Sequence, residues 1–100
     1  MAKIQVQVMY PKGGKFDWDY YLSVHMPMVG RDMDLLNWSV LSGIEDGVPS
    51  TYVAIAVLQF ADRDTFLKSF GAVGPQLQAD IPNYTDVTPT IQVSEIRASS

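Results

Sequence analysis

Cysteine is absent from the chain. This excludes disulfides, thiolate nucleophiles, iron–sulfur ligation and cysteine-based zinc sites. Histidine is almost absent: His25 stands alone, so no two-histidine metal triad and no His-x-x-His pair exists. Charge is scarce, at 18% of residues against roughly 25% in an ordinary globular protein. The basic side is short in particular. With 7 Lys and Arg against 11 Asp and Glu, net −4, no surplus is left to neutralise phosphates, and no nucleic-acid partner is expected. No apolar run approaches the ~20 residues of a membrane span; the longest, Tyr52 to Leu58, has strand length. The opening residues Met1-Ala2-Lys3-Ile4-Gln5-Val6-Gln7 lack the apolar core of a secretory signal. A cytoplasmic location without a membrane partner is the expectation, and the missing cysteine fits a reducing compartment.

Apolar residues, by contrast, make up 47% of the chain, which excludes disorder. One hundred residues support one core, so residues 1–100 read as a single domain. A small globule has much surface for its volume, yet this one carries little charge. Part of its surface is therefore expected to be dry.

Residues 3–9 alternate strictly, with Ile4, Val6 and Val8 on one face and Gln5, Gln7 and Met9 on the other, the period of a strand. Pro11 and Gly13-Gly14 end it. Asp17 offers a helix N-cap, and Trp18, Tyr21, Leu22, His25 and Val29 follow at helical spacing on one predicted face. Pro27 removes a backbone donor, crowds the carbonyl of Ser23 and disfavours helical geometry at Met26, predicting a kink or break near His25. A short helical piece to about Met33 should follow. Residues 36–44 alternate again, and Tyr52 to Phe60 is apolar on both faces, so both faces must be covered. Asp62 and Asp64 start a second helix with Phe66, Leu67 and Phe70 as its buried stripe. Gly71 and Gly74-Pro75 are expected to close it before a short helix over Gln76 to Asp80. The last strand spans about Thr90 to Ile96. The order is βαββαβ, an α+β ferredoxin-like sandwich: a four-stranded antiparallel sheet with helices on one face and the other face bare.

Little in this chain can carry chemistry. Asp17/Asp19 and Asp32/Asp34 are spaced two apart and point to different helix faces, so no carboxylate metal site is expected. No Gly-x-Ser-x-Gly elbow, dinucleotide fingerprint or phosphate loop is present. His25 remains, either as a general acid/base in an apolar pocket or as a cap on helix C-terminal carbonyls. Trp18, Tyr20, Tyr21, Trp38, Tyr52 and Tyr84 are candidates for an aromatic pocket or for ordinary packing. Gln5, Gln7, Gln59 and Gln92 all fall on predicted strands, a residue type strands do not favour. They are expected either inside a pocket or at an interface between sheets. Most carboxylates read as solvated or capping groups; Asp80 and Asp86, flanking the Pro82–Thr85 loop, stand apart.

The segment Phe16-Asp17-Trp18-Asp19-Tyr20-Tyr21-Leu22-Ser23-Val24-His25-Met26-Pro27-Met28-Val29 resembles the signature of the EthD family, within the dimeric α+β barrel superfamily. The likeness continues at Asp80-Ile81-Pro82-Asn83-Tyr84-Thr85-Asp86 and at Ile91-Gln92-Val93-Ser94-Glu95-Ile96. The resemblance implies a homodimer built by sheet–sheet packing into a dimeric α+β barrel. It also implies a pocket between sheet and helices for a small hydrophobic ligand, with His25 facing inward. Relatives in the superfamily include polyketide cyclases, lactone isomerases, cofactor-free monooxygenases and haem-degrading enzymes. On this footing the leading expectation is a cofactor-free isomerase, cyclase or dehydratase of a small oxygenated or aromatic catabolite, with no metal. His25 is its catalytic residue, and Trp18, Tyr21, Asn83 and Tyr84 contact the substrate. An accessory protein that binds a catabolite for a neighbouring oxygenase system is the alternative, and a haem-binding role with His25 as axial ligand is a third.

Overall fold

A computed structural model describes residues 2–100. Strand β1 (Ile4–Pro11) is followed by a helical arm in three parts. These are α1 (Trp18–Tyr20), a π-helical turn (Tyr21–His25) and α2 (Met26–Asp32). Strands β2 (Asn37–Ser42) and β3 (Tyr52–Phe60) come next, then α3 (Arg63–Asp80), a 3₁₀ turn (Ile81–Asn83) and β4 (Thr90–Glu95). The strands lie in the order β2-β3-β1-β4, every pair antiparallel. This is the expected ferredoxin-like α+β sandwich.

Register sorts the two faces. Val6 stands opposite Leu58 and Val8 opposite Ala56, and with Ile4, Tyr10, Ala54 and Phe60 they form the face under the helices. Gln5 opposite Gln59 and Gln7 opposite Val57 belong to the other face, which no helix covers. There Asn37 donates to Gln59 Oε1 at 3.1 Å and Gln59 donates to Gln5 Oε1 at 3.3 Å, an amide chain across three strands. The glutamines are thus on the open face and not in a pocket.

The two prolines in the helical regions act differently from expectation. Pro27 lies in the first turn of α2, and Met26 keeps right-handed helical geometry at φ −67°, ψ −37°. The chain accommodates the proline by widening the preceding turn, where Met26 N–H reaches back five residues to the Tyr21 carbonyl. That inserted residue also rotates the helix. Leu22 turns to solvent, while Tyr21, His25, Met26 and Val29 are buried. Pro75 does not break the second helix: α3 runs unbroken from Arg63 to Asp80. Packing of Phe70, Val73 and Leu77 onto the core holds it together, and Gly71, whose carbonyl loses its partner at Pro75, has open space around it. Leu67 faces solvent, and Ser69 and Val73 take its place in the buried stripe.

Candidate active site

The site is assembled where the helical arm meets the segment after α3. Asp17 N–H donates to the Tyr84 carbonyl at 2.7 Å, Phe16 and Thr85 form a β-bridge, and Lys15 N–H donates to Asp86 Oδ1 at 2.8 Å. Gly14 permits this approach, since a Cβ there would collide with Val87 and Asp86. Tyr84, 59 residues from His25 in sequence, is thereby set against it.

His25 is buried, with its ring stacked on Tyr21 (5.5 Å between centroids, 15° between planes) and tilted against Tyr84 at 4.7 Å. Nδ1 lies 2.9 Å from Asp80 Oδ2. The other oxygen of Asp80 accepts from the Tyr20 hydroxyl at 2.6 Å and from the Asn83 amide at 2.9 Å. A carboxylate only accepts, so Nδ1 carries the proton and Nε2 a lone pair. The Tyr84 hydroxyl then donates to Nε2 at 3.4 Å and accepts from the Tyr10 hydroxyl at 2.7 Å. Burial pushes the imidazole below its ordinary pKa, and the Asp80 carboxylate opposes this only in part. For Asp80, burial acts upward, but donation by Tyr20, Asn83 and His25 outweighs it and holds the carboxyl below its ordinary range. The pair is therefore a neutral imidazole beside a carboxylate at neutral pH.

Beside His25 lies a cavity of about 350 Å³ between sheet and helices, bounded by Val8 and Ala56 of the sheet, Met26 and Met33 of the arm, and Phe70 and Leu77 of α3. Its polar walls are Tyr10, Tyr21 and His25, which are buried, and Gln78 and Thr88, which are exposed. Of the five sequence candidates, His25 and Tyr21 line it. Tyr84 stands behind His25 without lining it. Trp18 and Asn83 do not line it either. Trp18 packs at 5.0 Å on Phe16 and at 6.1 Å on Tyr21, outside the cavity. Asn83 faces Asp80 and Tyr20. Tyr20, Trp38 and Tyr52 are likewise absent from the wall. Reading His25 as a helix cap fails: it sits within a continuing helix and bonds to a carboxylate, not to terminal carbonyls. Sequence spacing missed two residues, Asp80 and Tyr10. Asp80 carried one signal, its place beside the Pro82–Thr85 loop; Tyr10 carried none beyond its position in a strand. Haem fits poorly. Nε2 is the one nitrogen left to bind iron, and the cavity beside it, about 350 Å³, lies near the lower end of small-molecule sites, roughly 300–1,000 Å³. No group of three or more His, Cys, Asp or Glu is clustered for a metal among the described residues.

An EthD-like protein of Ralstonia eutropha JMP134 superposes with a TM-score of 0.85 at 33% identity, over 100% of this chain and 96% of that one. The chain belongs to the EthD-like family. An EthD family protein from Bacillus halodurans C-125 shares the fold at TM-score 0.66 and 13% identity, covering 96% of this chain and 99% of that one. SnoaB of Streptomyces nogalater, a cofactor-independent oxygenase, shares it at TM-score 0.70 and 10% identity, covering 99% and 97%. The same fold thus also serves a cofactor-independent oxygenase. No family model and no curated protein matches the chain.

Proposed function

We propose that this EthD-like chain is a homodimeric, cofactor-free enzyme that moves a proton next to a carbonyl in a small apolar compound, with His25 as acid/base. The observation that carries the reading is the His25–Asp80 contact at 2.9 Å on the wall of an apolar cavity. Asp80 fixes the tautomer that leaves Nε2 basic, and burial keeps the ring neutral and able to accept a proton. In the step envisaged, a C–H bond α to the carbonyl breaks. Its proton goes to Nε2, which gives up the long Tyr84 contact, and its electron pair goes to the carbonyl oxygen as an enolate. The imidazolium, stabilised by Asp80, returns the proton at a different carbon or drives loss of a β-hydroxyl as water. Isomerisation, cyclisation and dehydration share this first step. General acid/base action of this kind contributes on the order of 10²–10⁴-fold.

The experiment is deuterium wash-in. With 1-tetralone in D₂O, the protein should accelerate exchange of the protons beside the carbonyl, and His25→Ala should lose nearly all of the acceleration while keeping its assembly. Exchange equal in both proteins would end the His25 mechanism. Binding of 1-tetralone without any acceleration would favour the accessory-protein reading.

A further inference from the structure

The walls of the cavity contain no Lys, Arg, Asp or Glu, and His25 is held toward its neutral form by burial. A carboxylate or phosphate inside would lack a counter-charge, and an ammonium would lack one too. The buried polar end is made of Tyr10, Tyr21 and His25. Two of these three are already committed. Tyr10 donates to Tyr84, and His25 is held between Asp80 and Tyr84. The Tyr21 hydroxyl is different. Among the described residues it is the one buried side-chain nitrogen or oxygen without a hydrogen bond of good geometry, although the Tyr10 hydroxyl is close enough to add to burial in raising its pKa and the residue is 0% exposed. A buried hydroxyl left unpaired is costly, and native structures rarely keep one without a reason.

From this we infer that the cavity selects a neutral, largely apolar carbonyl compound, and that the Tyr21 hydroxyl donates the hydrogen bond that receives the carbonyl oxygen at the buried end. The inference rests on the proposed proton-transfer reading and gives it a substrate class. Tyr21 is stacked on the His25 ring, so an oxygen held by its hydroxyl places the adjacent carbon beside the imidazole. Burial, then the neighbouring Tyr10, pushes the Tyr21 phenol far above its ordinary range. It therefore remains a donor at every working pH. The cavity volume, about 350 Å³, lies near the lower end of small-molecule sites, roughly 300–1,000 Å³.

The test is affinity, independent of turnover. Three probes of similar size are titrated calorimetrically into the intact protein: 1-tetralone, tetralin without the oxygen, and 1-naphthoate with a charge. The wild type should bind 1-tetralone at least about tenfold more tightly than tetralin, and 1-naphthoate more weakly than the ketone. Tyr21→Phe should shrink the ketone advantage to below about threefold and leave tetralin affinity within about twofold. Tyr10→Phe should keep the advantage, which separates donation by Tyr21 from general loosening of the tyrosine cluster. Equal affinity for ketone and hydrocarbon in the wild type would overturn the inference. So would an advantage unchanged in Tyr21→Phe, or tightest binding of the naphthoate. Each of these leaves His25-dependent deuterium exchange standing as a separate result. A ketone preference without exchange would support the selectivity and defeat the acid/base role alone.

Discussion

Asp80 Oδ2 lies 2.9 Å from His25 Nδ1 across 55 residues of sequence, and Asp80 Oδ1 is held by Tyr20 and Asn83. The carboxylate is thus clamped at one oxygen and aimed with the other. Tyr20 and His25 lie on the same helical arm, one π-turn apart, so a single carboxylate ties both ends of that turn to the end of α3.

Replacing Asp80 with Asn keeps a hydrogen-bonding group of the same size and removes the charge. The carboxylate is what raises the His25 pKa against burial, so the imidazole should titrate at still lower pH in Asp80→Asn. Ketone exchange should fall by at least about tenfold. With only one histidine in the chain, the imidazole proton resonances followed against pH give an unambiguous reading. An unchanged midpoint would remove Asp80 from its positioning role.

Acid should weaken the fold through the same residue. Burial sets the folded His25 pKa below its ordinary value of 6.5, so the unfolded chain binds more protons between the two values. The stabilisation is complete above the ordinary value and is lost as pH falls toward the folded one. Asp80, depressed below its ordinary 3.8, adds a further loss at lower pH. Urea midpoints measured from about pH 7.5 to about pH 5.5 should decline more steeply for the wild type than for His25→Gln. Parallel slopes would contradict this.

Tyr21 and Tyr84 are both fully buried, yet loss of their hydroxyls should have opposite consequences. Tyr21→Phe removes no hydrogen bond of good geometry, only the weaker contact with the Tyr10 hydroxyl, and should leave Tm close to unchanged or raise it. Tyr84→Phe strands both the Tyr10 hydroxyl and His25 Nε2, at a cost of about 1–3 kcal/mol. For a chain of this length that corresponds to a fall of roughly 4–8 °C per kcal/mol. Calorimetric melting of the two variants decides it; equal changes would mean the tyrosine network is not as described.

The open sheet face should be closed by a second copy. Val57 stands between Gln7 and Ser39 at the centre of that face, so Val57→Lys places charges at an isologous contact. Sedimentation should give twice 11.1 kDa for the wild type and the single mass for the variant. A wild-type mass of 11.1 kDa at micromolar concentration would refute the dimer.

Period-two alternation in residues 3–9 and 90–96 and the Asp17 and Asp62 caps made the element order legible, because each is a local property. Asp17 does cap Tyr20 N–H, and Asp62 caps Thr65 N–H. Local rules failed where tertiary packing outweighed them, as in the unbroken helix through Pro75 and the helical Met26 before Pro27. The site was half legible. His25 stands out by being alone and Tyr21 by its helical spacing, but a count of 3.6 residues per turn, which the π-turn does not obey, puts Leu22 on the same face, and Trp18 stops at Phe16 short of the cavity. Asp80 meets His25 where the end of α3 packs against the helical arm, and Tyr10 reaches it only through Tyr84, which the loop stitched at Gly14 sets in place. No spacing along the chain encodes such contacts.

The widened turn at Tyr21–His25 makes the site depend on a count of residues as well as on their chemistry. Deleting Ser23 or Val24 would close the turn to ordinary helical pitch and swing the imidazole by about 100° relative to Asp17. Tyr21, His25 and Asp80 would still be present, and the histidine would face water.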